Sequence, residues 1–62
     1  MARARTARKG QTITIIDGPN NGEKAIALED AGNRHDFRVR LTTGPRKGDI
    51  IRQRAGDYVV GG

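Results

Sequence analysis

The chain has 62 residues, no cysteine or tryptophan, 34% apolar and 31% charged residues, and a formal net charge of +5. A chain of this length makes one domain whose core rarely supplies more than about 3–5 kcal/mol of net stability, and without cysteine it has neither disulfides nor thiolate metal sites to add to it. No apolar run is long enough to span a membrane, and no apolar stretch follows the N-terminal charges as in a secretory signal, so a cytoplasmic protein or one carried within an assembly is expected.

The charge is unevenly placed. Residues 1–9, MARARTARK, hold Arg3, Arg5, Arg8 and Lys9, and no acid precedes Asp17. From residue 10 onward eight Lys and Arg face seven Asp and Glu, so the excess lies in the arm. After Met1 the arm has nothing apolar larger than alanine, and its arginines share no helical face, so it is expected to be disordered in the free protein. Basic arms neutralise phosphates and release condensed counterions, which makes a polyanion the natural partner. A solubilising tail is the alternative.

Residues 12–16 alternate threonine and isoleucine and are β-branched throughout, which predicts a strand with Ile13 and Ile15 inward. Residues 17–22, DGPNNG, predict a turn in which Pro19 presets φ while Asn21 and Gly22 tolerate positive φ. Residues 24–29 return as a strand, with Ile26 and Leu28 expected inward and Ala25 and Ala27 on the other face. Residues 29–36, EDAGNRHD, read as a polar turn. Residues 36–42 alternate strictly, with Phe37, Val39 and Leu41 on one face and Arg38, Arg40 and Thr42 on the other. A second turn over 43–48 carries Arg46 and Lys47 at its tip, and strands over 49–54 and 57–60 follow, separated by Ala55 and Gly56. Five strands, no helix and regular turns predict an all-β domain over residues 10–62, a small closed or nearly closed barrel.

Residues 12–23 and 38–49 repeat one pattern: alternating apolar residues, Gly-Pro-x-x-Gly, then an acid. The first copy resembles the KOW motif, the hairpin of NusG-type transcription factors and of several ribosomal proteins. Gly10, Ile13, Ile15, Ile16, Gly18, Pro19, Gly22 and Ile26 carry the resemblance, and Ala25 stands where the family has a return-strand glycine. The resemblance implies a five-stranded SH3-like barrel and a partner that is RNA, a ribosome or RNA polymerase, met through the loop over 18–24, which ends at Lys24. An OB-type barrel is the alternative architecture.

If Leu41 faces Ile51 across the second hairpin, Arg40 lies opposite Arg52 and Arg38 opposite Arg54. Like charges directly opposite cost roughly 0.2–1 kcal/mol per pair, so such a face calls for an anion. The expected phosphate-binding set is therefore Arg3, Arg5, Arg8, Lys9, Lys24, Arg38, Arg40, Arg46, Lys47, Arg52 and Arg54. The competing expectation is that Glu29, Asp30, Asp36 and Asp57 neutralise this face as an ordinary mixed-charge surface. Single-strand readers stack bases on exposed aromatics. Here Phe37 is expected in the core and Tyr58 at its edge, which favours backbone contacts over base readout.

No catalytic constellation is visible. His35 is the single histidine, in a turn, and the chain has no serine or cysteine nucleophile. Neither cofactor nor metal is expected, nor a membrane or small-molecule partner. The leading expectation is a non-enzymatic module that binds RNA, DNA or a ribonucleoprotein. Two others stand beside it: a small structural subunit of an assembly such as a virion coat, decoration or head-joining protein, completed by neighbouring subunits; and a protein modulator of a polymerase.

Overall fold

The computed structural model describes residues 6–61. Its elements are β1 (Thr12–Ile15), β2 (Lys24–Ala27), β3 (Asp36–Leu41), β4 (Ile50–Arg54) and β5 (Tyr58–Val60), with no helix among the described residues. They form one antiparallel sheet in the order β4-β3-β2-β1-β5. The first four strands are a meander, and β5 folds back onto the free side of β1.

The internal repeat survives at the level of single hydrogen bonds. In the first hairpin Ile15 N–H donates to Glu23 C=O at 2.9 Å, Gly22 N–H to Ile15 C=O at 2.7 Å and Asn21 N–H to Gly18 C=O at 3.1 Å. Twenty-six positions later Leu41, Gly48 and Lys47 N–H donate to the carbonyls of Asp49, Leu41 and Gly44 at 2.9, 2.7 and 3.1 Å. Positive φ falls on the glycine pairs of the two loops, Gly18 and Gly22, then Gly44 and Gly48, and on neither asparagine of the first loop.

The loops also touch. Thr43 Oγ1 donates to Glu23 Oε1 at 2.5 Å and accepts from Lys24 N–H at 3.0 Å. The Glu23 carboxylate lies over the Cα of Gly44, in the space a β-carbon would take.

Ile13, Ile15, Phe37, Val39 and Leu41 fill the core as their alternation requires. The ring of Tyr58 meets Phe37 edge to face at 5.2 Å and 67°. On β2 the faces are the reverse of the sequence expectation. Ala25 and Ala27 are buried, Ile26 is exposed and Leu28 half-buried. Cross-strand partners share a face, and Ala25 lies opposite both Ile13 and Leu41, with Ala27 opposite Val39. Register decides the matter over residue size, because the inside of so small a bent sheet lacks volume for a large side chain on every strand.

Two residues outside the strands complete the core. Ala31 is buried in the linker read as polar throughout, and Ala7 is buried although it belongs to the stretch expected to be a free arm. Ala7 N–H donates to the Tyr58 hydroxyl at 3.0 Å, and its carbonyl accepts from Ala31 N–H at 2.9 Å. Residues 6–9 are thus docked on the body, and residues 1–5 lie outside the described residues.

β4 and β5 are the two edges of the sheet, and only residues 55–57 join them. At that corner Asp57 N–H donates to Arg54 C=O at 3.3 Å. The sheet must therefore bend until its edges approach there. Gln53, the one buried polar side chain among the described residues, holds the corner from inside: its Nε2 donates to the carbonyls of Arg54 and Asp57 at 3.2 and 3.1 Å.

Candidate nucleic-acid interface

The alternation that sends Phe37, Val39 and Leu41 inward leaves Arg38 and Arg40 on the outer face of β3, and Ile50, Arg52 and Arg54 share that face on β4. The register differs from the expected one by two residues. Val39 pairs with Ile51, so Arg38 lies opposite Arg52, Arg40 opposite Ile50 and Asp36 opposite Arg54. The cause is the loop, which closes on Leu41 and Asp49 and so draws β4 two residues along β3. A shift of two preserves the faces and changes every neighbour.

The Arg38–Arg52 pair is relieved from both sides. Glu29, just past the end of β2, takes the Arg38 guanidinium at 3.7 Å and that of Arg34 at 3.1 Å, while Asp36 accepts from Arg52 at 3.0 Å. Glu29 is more than a counter-ion, since its Oε2 also accepts the backbone N–H of Arg38 at 2.9 Å where the β2 ladder ends. That bond, aided by the charges of Arg34, Arg38 and Arg52 and opposed by partial desolvation, lowers the Glu29 pKa below its ordinary value. The neutralisation expected of the acids is thus realised for Arg38 and Arg52. These pairs are exposed and screened by solvent, so they add little to stability.

It does not extend to the whole face. Arg40 and Arg54 have no ion pair among the described residues. Arg40 instead sits in a cross-strand row running Thr12, Ile26, Arg40, Ile50, between two exposed isoleucines. Five guanidiniums, those of Arg34, Arg38, Arg40, Arg52 and Arg54, share this region with the carboxylates of Glu29 and Asp36, leaving a positive surface.

The other expected residues sit around it. Arg46 is tied back to Asp49 at 3.3 Å, whereas Lys47 projects from the loop with no ion pair among the described residues. Lys24 is half-buried on β2, where its carbonyl accepts from Thr42 N–H at 2.8 Å. Arg8 and Lys9 are exposed, but their backbone is fixed: Arg8 N–H donates to Gln11 Oε1 and Lys9 N–H to Asp30 Oδ1, each at 2.8 Å. Asp30 adjoins Glu29, so the end of the arm lies beside the Glu29–Arg38 cluster. Arg3 and Arg5 lie outside the described residues.

A cleft of about 280 Å³ separates the edge of β4, at Ile51, Arg52 and Arg54, from Gly18, Pro19 and Asn20 of the first loop. Arg52 and Arg54 also line a second hollow with His35 and Asp36. The loop singled out by the KOW resemblance and the arginines of β4 therefore face each other, a proximity between residues more than thirty positions apart that no local pattern announces. Gln53, which organises this end of the molecule, escaped the sequence reading, because a lone glutamine in an alternating strand carries no signal. Glu29 is expected from sequence only as a neutralising acid, and its bond to the Arg38 backbone has no local signal. Both aromatic rings, Phe37 and Tyr58, are buried and offer no stacking surface.

Comparison of the chain with protein-family models, with characterised proteins and with solved structures returns no match.

Proposed function

We propose that this chain is a non-enzymatic module that binds the phosphate backbone of RNA or DNA, free or within a ribonucleoprotein, through the outer face of β3 and β4 and its basic arm. The observation that carries the reading is the excess of guanidinium over carboxylate on that face, with Arg40 and Arg54 left without an ion pair among the described residues. Burial of both rings favours contacts to phosphate and sugar over stacked bases. A four-strand meander with β5 returned to β1 supports an SH3-like barrel over the OB-type alternative, and a KOW-like first hairpin accords with it.

The test is fluorescence anisotropy of labelled duplex RNA and DNA across a salt series. Affinity falls steeply with salt, and replacing Arg40 and Arg54 by alanine lowers the log–log slope on duplex DNA by about 0.9 for each phosphate that is no longer neutralised. A flat salt dependence in the intact chain refutes the proposal.

A second reading rests on a separate observation. Ile26 and Ile50 are 37% and 54% exposed on either side of Arg40, an arrangement suited to burial against a neighbouring subunit of an assembly. A stable oligomer that persists in sedimentation after nuclease treatment and retains no nucleic acid favours that reading.

A further inference from the structure

We propose that the outer edge of β4 accepts an acidic, extended peptide segment as an added antiparallel strand. The backbone supplies the first reason. Leu41 N–H bonds Asp49 C=O and Ala55 N–H bonds His35 C=O, so the odd-numbered residues of this stretch turn their backbone groups toward β3. Those of Ile50, Arg52 and Arg54 point the other way, with no strand beyond them among the described residues. Among the described residues, only the Arg54 carbonyl of these groups is engaged, by Gln53 Nε2 and Asp57 N–H. Such an edge is a template for another chain.

Side chains select what can occupy it. In an antiparallel pair, residues that exchange both backbone bonds stand directly opposite and share a face. Residues of the incoming strand that bond Arg52 and Arg54 therefore place their side chains on the arginine face, where carboxylates are favoured. The residue between them stands opposite Gln53 and points to the other face, toward the cleft that Ile51, Ile15 and Pro19 also line. Asp17 and Asp57 also line that cleft, and their carboxylates disfavour a further acid at this middle position, which is therefore apolar. The recognised pattern is acid, apolar, acid. A second copy of this chain is disfavoured, because pairing β4 with β4 sets arginine against arginine.

The experiment is hydrogen exchange by NMR on the full chain, titrated with a blocked nine-residue peptide of alternating glutamate and valine. Two versions are added, one N-methylated at the glutamates and one at the valines, together with an alternating lysine–valine control. The parent peptide and the valine-methylated form slow exchange of the Arg52 and Arg54 amides about tenfold or more. The glutamate-methylated form does not, because it lacks the N–H groups that face β4, and the lysine peptide does not bind. Replacing Arg52 and Arg54 by serine weakens the parent peptide about tenfold, in the range expected for losing two exposed ion pairs, with little change in Tm because the Arg52–Asp36 pair is exposed. Equal binding by the glutamate-methylated peptide, protection elsewhere on the sheet, self-association through β4, or no binding at millimolar peptide each overturns the proposal.

Discussion

Replacing Gln53 by methionine removes two hydrogen bonds at nearly constant volume and so isolates what holds the β4–β5 corner. Each bond, to the Arg54 and Asp57 carbonyls at 3.2 and 3.1 Å, is worth about 0.5–1.5 kcal/mol net. Neither acceptor is orphaned, since Arg54 C=O keeps the Asp57 N–H at 3.3 Å and Asp57 C=O keeps the Ile16 N–H at 3.0 Å. The cost is therefore about 1–3 kcal/mol, a large share of the roughly 3–5 kcal/mol that so small a core supplies at most. In a domain of this size that lowers Tm by about 5–20 °C and the urea midpoint with little change in m. Gln53→Glu goes further, because a carboxylate donates to neither carbonyl and, once protonated, to only one of them. Its pKa is raised in the folded state, so this variant is least destabilised at low pH and loses stability as pH rises through that value. A Tm within about 2 °C of wild type for the methionine variant refutes the assignment of the corner to Gln53.

Three further predictions concern the arm, the loops and the Glu29 cluster. Tyr58→Phe keeps the contact with Phe37 but removes the acceptor of Ala7 N–H, costing about 1 kcal/mol, with faster hydrogen exchange confined to residues 6–8. Gly18→Ala costs about 1–2 kcal/mol for positive φ alone, whereas Gly44→Ala costs about 1 kcal/mol more, because the new methyl displaces the Glu23 carboxylate from Thr43; equal urea midpoints for the two contradict the loop–loop contact. Because Glu29 has a lowered pKa, its contribution is complete above the ordinary glutamate value and is lost as pH falls through the depressed one. Urea midpoints in that acidic window should fall less for Glu29→Gln than for the wild type.

The phase of β2 shows where sequence reasoning stops. By apolar content Ile26 belongs inside and the alanines outside, and within the segment nothing argues otherwise. The segment lies between two others whose faces are unambiguous, and their registers carry Ala25 and Ala27 inward. The arginine face was legible as a face, because alternation in β3 places Arg38 and Arg40 on one side whatever the partner does. Which arginines stand opposite one another was not, since it depends on where the loop closes. The docking of Ala7 under the Tyr58 hydroxyl had no local signal either, because it joins residues fifty-one positions apart.

By itself the sequence determined the five strands, the two equivalent hairpins and the outward row of arginines. These follow from a period of two, β-branched side chains and glycines at fixed offsets, all properties of adjacent residues. Only the tertiary structure decided which acids quench which arginines, that Arg40 and Arg54 stay without an ion pair among the described residues, and that the edge of β4 faces the first loop across a cleft. Those outcomes depend on register and on the bend of the sheet, which arise from packing between strands distant in the chain and leave no trace in any one of them.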